Sequence, residues 1–312
     1  EDIDEYIKDM VYLNDGLCEQ DLLEKVFKES LDRVKDYQRL GVEFAADESG
    51  KLKSIPQRGL KHNACYVGKP FGHGGKAMME ALAGQAKKLG IKYLNRIFVT
   101  DLLKRDGRVI GAVGFNTRDG KFYIFKAGAT VLCTGSSSMK SSYEAQLMAT
   151  GNGYDMALRA GAEVKKTEFV MMWIIPKKFV WEGVTALLPL GAELVNEKGE
   201  RFMNRYSPGL KSNCDYGFIV RAMAIEAMEG RGPFYLDCSG MTPENKELML
   251  PKAGWMKLMY GRLLEAGIRP FEERQEWIPC FNQIAASLVT DLEMRTKVPG
   301  LFAAGSLTHV ET

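Results

Sequence analysis

The side chains and backbone segments that could hold or transform a ligand fall into a few groups. Six cysteines, Cys18, Cys65, Cys133, Cys214, Cys238 and Cys280, stand far apart with no CxxC pair, so neither a zinc nor an iron–sulfur signature is present. They are expected to be buried, reduced thiols of a cytoplasmic protein. Three histidines, His62, His73 and His309, form no HExxH-type pair, which argues against a transition-metal centre. Glycine is more informative. The loop Gly68-Lys69-Pro70-Phe71-Gly72-His73-Gly74-Gly75 runs into a helical pattern and could offer free N–H groups to a phosphate. By spacing alone, a plain loop-to-helix junction explains it better. The run Ala129-Thr130-Val131-Leu132-Cys133-Thr134-Gly135 is short, apolar and ends in Thr-Gly. It suits a strand buried on both faces of a parallel sheet, whose carboxyl end is where such sheets bind ligands.

The elements that would position these groups can be read in order. Leu22, Leu23, Val26, Phe27, Leu31, Val34 and Tyr37 repeat near the 3.6 period, predicting a helix over 21–40 that Gly41 ends. A second helix is predicted over 76–89. Strand-like runs at 91–103, 108–116 and 121–126 are separated by Asp106-Gly107 and Asp119-Gly120, which predicts two hairpins and a three-stranded antiparallel meander. Further helices are predicted at 154–159, after Thr150-Gly151-Asn152-Gly153, and at 218–228. A strand follows at 234–237 and a buried one returns at 300–304. From Lys165 to about Pro279 the elements shorten and Met, Trp and Pro become frequent, as in a domain inserted into another.

Composition bounds the answer. The 312 residues, 46% apolar and 26% charged, suit two globular domains at about 150 residues each. Forty-two Lys and Arg against 40 Asp and Glu leave a net charge of +2, without the basic excess of a nucleic-acid binder. No apolar run reaches the ~18 residues of a membrane span. The chain begins at Glu1 without Met or a signal-peptide pattern and stops just after the 300–304 strand, so it is expected to be a piece of a longer protein.

Taken in order, the motifs resemble the flavoprotein subunits of the fumarate reductase and succinate dehydrogenase superfamily, which includes L-aspartate oxidase and adenylylsulfate reductase. The matching pieces are the Gly74-Gly75 helix, Ile97-Phe98-Val99 with Leu102-Leu103, Cys133-Thr134-Gly135, and Thr150-Gly151-Asn152-Gly153 with Met156-Ala157 and Ala160-Gly161-Ala162. Glu168-Phe169, Leu194-Val195-Asn196 with Gly199-Glu200-Arg201-Phe202-Met203, Glu229-Gly230-Arg231-Gly232, and Pro299 to Gly305 follow. The resemblance implies an α/β FAD-binding domain, with a parallel sheet and the meander, interrupted by an α+β capping domain that closes over a small-molecule substrate. Its boundaries would be 1–165 and 281–312 for the FAD-binding domain and 166–280 for the cap. The family's GxGxxG would precede Glu1. FAD contacts are implied at Val99, Thr134, Gly135, Gly151, Asn152, Gly153, Gly305 and Ser306. Small residues there would let backbone N–H groups reach the cofactor. Asn152 stands where the family commonly has Asp, and Ser306 where it has Glu.

The substrate site departs further from the pattern. The arginine and glutamate of the family's proton path fall on Leu188 and Leu190, its proton-donating arginine on Tyr216, and a substrate histidine on Asn282, while Trp173 lies near the other histidine's place. A leucine cannot relay a proton or pair with a carboxylate, so succinate–fumarate chemistry is not expected. The resemblance therefore implies an FAD-dependent oxidoreductase with Trp173, Leu188, Leu190 and Asn282 at a less charged substrate pocket. Tyr216 and Arg221 become the catalytic candidates, Tyr216 as proton donor. The alternative is an adenylylsulfate-reductase-like flavoprotein working with an iron–sulfur or other electron-transfer subunit, with Lys177, Lys178 and Arg201 as candidate anion ligands. A third reading is a non-catalytic scaffold remnant of a flavoprotein.

Overall fold

The computed structural model describes residues 3–56, 63–66, 68–69, 74–139, 148–178, 184–250 and 257–308. The three histidines and the centre of the 68–75 loop lie outside them. In chain order the elements begin with α1 (Ile3–Leu13), α2 (Gln20–Arg39), β1 (Ser54–Pro56), β2 (Asn63–Tyr66) and α3 (Gly74–Lys88). Next come β3 (Ile97–Arg105), β4 (Arg108–Asn116), β5 (Phe122–Lys126), β6 (Thr130–Leu132), α4 (Asn152–Ala160), β7 (Val164–Lys165) and β8 (Val170–Pro176). They are followed by β9 (Glu193–Asn196), α5 (Met203–Tyr206), α6 (Tyr216–Met228), β10 (Phe234–Asp237), α7 (Pro243–Glu247), α8 (Lys257–Glu265), β11 (Gln275–Ile284), β12 (Ser287–Leu288) and β13 (Leu301–Ala303).

The chain forms two compact units. One holds 1–13, 26–91 and 172–280; the other holds 14–25, 92–171 and 281–312. Segments 1–13 and 26–91, which the sequence reading groups with the FAD-binding domain, thus lie in the unit that contains 172–280.

In the 172–280 unit a sheet runs in the order β8-β11-β10-β9. Leu194 and Leu236 on β9 and β10 and Trp277 on β11 are fully buried, together with Ile219 and Met223 of α6. Helix α6 begins two residues earlier than the apolar pattern suggests, because the Asp215 side chain accepts the Gly217 N–H at 3.0 Å and caps it.

In the second unit the meander forms as the turn chemistry demands. Asp106 and Gly107 both have positive φ, 50° and 78°, as a two-residue hairpin needs if its twist is to match its strands. The second hairpin instead uses a longer loop, with Asn116 and Lys121 paired across it at 2.9 Å. Strand β3 starts at Ile97 and not at Ile91, since Arg96 adopts φ 63° and breaks the extended run. β6 and β13 pair in parallel, Leu301 to Ala303 against Thr130 to Leu132. Only one side of β6 is covered: Leu132 is buried but Val131 is 56% exposed, so the expectation of a strand buried on both faces fails. Tyr154, Met156, Ala157 and Ala160 of α4 complete this unit's core with Leu132, Leu301 and Ala303. Lys104 Nζ donates to the Ala160 carbonyl at 2.7 Å, a cation at the helix's negative end.

Four described cysteines are buried, as expected, but Cys133 is exposed because its side chain follows that of Val131 to the uncovered side of β6.

Candidate functional site

Three segments distant in sequence converge beyond the carboxyl ends of β6 and β13. After β6 the chain passes through Thr134 and Gly135, which has φ 77°. Helix α4 opens at Gly151, φ 79°, whose place as N-cap brings no side-chain cap. A Cβ added at Gly153 would overlap the Thr134 side chain, with Thr134 Cβ 2.9 Å away. One added at Gly151 would sit 2.8 Å from Ser137 Oγ, and one at Gly135 would lie 3.8 Å from Ser306 Oγ. The strand end, the first turn of α4 and the turn after β13 are therefore neighbours, packed so closely that glycine is required at Gly153. Thr134, Gly305 and Ser306 remain exposed, so the cradle is open to a ligand.

What this cradle can do follows from its backbone. The first-turn N–H groups of a helix lack intrahelical acceptors and carry partial positive charge. With no side chain capping α4, and with the Tyr154 and Asp155 N–H groups already bonded to the Gly151 carbonyl, those of Asn152 and Gly153 are the ones offered to an anionic or hydroxyl-bearing group. The Thr150 hydroxyl is bonded to the Asn152 carboxamide, which holds that side chain at the helix entrance. The donor set is neutral, small and backbone-rich, which suits a phosphate- and ribose-bearing cofactor such as FAD. Val99 stands apart from this group: it lies on β3 and packs against the unit's core.

The Ser136-Ser137-Ser138 run carries no role in the motif reading, yet all three are buried directly behind the cradle. Ser136 bonds Gln283, the Ser137 carbonyl accepts the Ile284 N–H at 2.8 Å, and the Ser138 N–H donates to Ala149 at 2.7 Å. Three consecutive hydroxyls after a strand-end glycine were the visible signal. Nearby, the Tyr154 hydroxyl donates to the Ala286 carbonyl at 2.6 Å, and burial pushes its phenol up to about 12.

The substrate-site candidates of the 172–280 unit divide. Trp173 and Tyr216 come together, their rings stacked with centroids 5.2 Å apart and planes 20° from parallel. Tyr216, 9% exposed, belongs to the same apolar core as Leu188 and Leu190, with Trp173 packed against it. Leu188 and Leu190 are 3% and 8% exposed and belong to the apolar core. Arg221 is exposed on α6, its guanidinium 5.9 Å from the Phe218 ring centroid. Asn282 is buried on β11 in the other unit. Of the candidate anion ligands, Lys177 pairs with both Glu276 oxygens at 2.8 and 2.9 Å, and Arg201 with Glu193 at 2.5 Å.

One charged group escaped sequence reasoning. Glu226 is fully buried on α6 and receives hydrogen bonds from Arg205 and Arg231, two from each at 2.8–2.9 Å, and from the Tyr206 hydroxyl at 2.6 Å. The Arg231 bonds, with Tyr206 and the Arg205 charge, outweigh burial and hold its carboxyl down to about 2. The same contacts raise the Arg231 guanidinium further. A single Glu in an apolar helix, five residues before an Arg, was the only hint.

The sequence pattern described as "FAD binding domain" matches residues 1–311. The chain is 32% identical over 267 residues to the succinate dehydrogenase flavoprotein subunit of Rickettsia conorii, covering 79% of this chain and 44% of that one. It is 31% identical over 292 residues to one subunit of the fumarate reductase (CoM/CoB) of Methanothermobacter marburgensis, covering 90% and 51%. A solved variant of E. coli quinol fumarate reductase FrdA shares the fold, with a TM-score of 0.88 over 100% of this chain and 56% of that chain at 22% identity. The chain thus spans about half the length of the relatives it matches.

Proposed function

From the premise that this chain belongs to the FAD-binding domain family, we propose that it forms the core of a flavin-dependent oxidoreductase acting on a small molecule other than succinate or fumarate. FAD supplies hydride transfer to or from a substrate carbon when bound. The observation that carries the reading is the convergence of Thr134, Gly135, Gly151, Gly153 and Ser306 into one open cradle of backbone donors. Gly135 and Gly151 let the backbone come close, the first turn of α4 supplies N–H donors, and Ser306 adds a hydroxyl. Asn152 serves as a neutral hydrogen-bonding group. The proposed FAD-binding part is 1–165 and 281–312 and the proposed cap 166–280, although segments 1–13 and 26–91 pack in the unit that holds 172–280.

Within the cap, Trp173 and Tyr216 are the aromatic wall of the substrate site on this reading, with the Tyr216 phenol, at the margin of the apolar core, as proton donor. The exclusion of succinate rests on Leu188 and Leu190. Both are held in an apolar core, where neither a carboxylate nor a proton relay is served. Relatives named as subunits support an electron-transfer partner, of iron–sulfur or other type. The adenylylsulfate alternative loses support at two of its three candidate anion ligands, since Lys177 and Arg201 are paired with Glu276 and Glu193, while Lys178 is exposed.

The test is the visible spectrum of the complete protein as purified, before and after denaturation, followed by anaerobic titration with candidate reductants. A flavin band that succinate leaves intact is expected. A colourless protein that takes up no added FAD overturns the flavin reading, and bleaching by succinate overturns the substrate reading.

A further inference from the structure

The outer face of the β3-β4-β5 meander carries a feature that neither flavin binding nor the cap uses. Phe98 on β3 stands opposite Phe115 on β4, and Phe115 opposite Phe122 on β5, so three phenylalanines form one row across the whole sheet. All three are exposed, at 43%, 38% and 61%, and Ile124, two residues beyond Phe122 and therefore on the same face, is 61% exposed. A contiguous exposed apolar row of this kind on a water-soluble surface marks a place that meets something less polar. Lys126 continues the face along β5, and the exposed Arg96 and Arg118 flank the end of the sheet where the row lies.

Charge says what that something is. Residues 92–126 hold eight Lys and Arg against three Asp, a net +5 in a chain whose total is only +2. The carboxylates there are engaged: Asp101 pairs with Arg159, Asp106 lies 3.6 Å from Arg105, and Asp119 accepts the Lys121 N–H at 3.0 Å. Lys104 and Arg108 donate to the Ala160 and Gly128 carbonyls and Arg105 pairs with Asp106, so the cations that serve this face are Arg96, Arg118 and Lys126. The surface thus combines apolar rings with these three cationic donors. A second copy of the same face would meet it with like charge. A nucleic-acid strand needs ring faces laid open for stacking, whereas Phe98 and Phe115 pack on one another, 5.7 Å apart and tilted by 40°. Anionic phospholipid fits both halves: phosphates accept from the cations, and the rings enter the boundary between headgroup and acyl chain.

We propose that the outer face of this meander is a peripheral docking surface for an anionic lipid bilayer, seated by Phe98, Phe115, Phe122 and Ile124 and drawn in by Arg96, Arg118 and Lys126. The proposal is independent of the flavin reading, since it uses none of the cradle residues.

The experiment is co-sedimentation of the complete FAD-loaded protein with two kinds of vesicle, phosphatidylcholine alone and a phosphatidylcholine–phosphatidylglycerol mixture. Binding to the anionic vesicles alone is expected, and it should collapse in about 0.5 M salt, where the Debye length is only ~4 Å. Phe122→Ser and Lys126→Glu should each weaken binding about tenfold, a loss of ~1.4 kcal/mol. An unchanged Tm in both variants shows that the fold survives, whether or not flavin is bound. No sedimentation with anionic vesicles overturns the proposal, as does binding that both variants leave unchanged. So does the same surface capturing a single-stranded oligonucleotide, or a concentration-dependent dimer, in place of the vesicles.

Discussion

Gly153 lies so close against Thr134 that no side chain fits between the first turn of α4 and the strand end after β6. This contact joins two of the three segments of the cofactor cradle, and a methyl group placed there must push them apart. Gly153→Ala is expected to destabilise the protein by about 1–3 kcal/mol through overpacking. It should also weaken FAD retention at least tenfold, read by flavin release during gel filtration. Gly128→Ala, where an added Cβ meets nothing within 4 Å and the backbone is not left-handed, should leave retention unchanged.

Glu226 links folding to acid pH. Its carboxyl sits at about 2 in the folded protein against 4.5 for the free group, so the folded state holds fewer protons than the unfolded one across that interval. Stability from this group is complete above about pH 4.5 and drains away as pH falls toward 2. Glu226→Gln should cost on the order of 3 kcal/mol at neutral pH, since two guanidinium groups lose the buried carboxylate they share and keep only the more exposed Glu229 and Glu200. It should also flatten the acid limb of a Tm-versus-pH curve.

Tyr154 gives the opposite dependence. Its phenol is raised from 10 to about 12, so the neutral form is favoured by folding. Its contribution is full below about pH 10 and is lost as pH rises toward 12. Tyr154→Phe removes the bond to the Ala286 carbonyl and should cost about 1–2 kcal/mol, leaving that acceptor buried and unmet. Denaturant titration at pH 8 and pH 11 measures both effects: the wild-type protein loses stability between them and the variant loses less.

Tyr216 tests the proposed chemistry. Tyr216→Phe keeps the ring stacked on Trp173 and deletes only the hydroxyl. On the proposed role as proton donor, kcat should fall by about 100-fold or more with little change in KM, Tm or the flavin spectrum. An unchanged kcat removes the catalytic role and leaves Tyr216 as packing.

Where a few adjacent residues carry the physics, the sequence suffices. Asp106-Gly107 specifies a two-residue turn because both positions need positive φ, and the 3.6 spacing of Leu22, Leu23, Val26 and Phe27 specifies α2. The order of short glycine-bearing motifs was enough to reach the FAD-binding family. Other properties depend on residues far apart in the chain, and only tertiary structure decides them. Thr134, Gly153 and Ser306 become one cradle because β13 pairs with β6 and α4 packs over them. Leu188 and Leu190 become core, Val131 and Cys133 become exposed, and Glu226 gains Arg205, 21 residues away, beside its near neighbour Arg231 through packing that no local pattern encodes. Burial is set by what arrives on each face from elsewhere in the chain, whereas turns and helical periods are set by each residue's own backbone and its near neighbours.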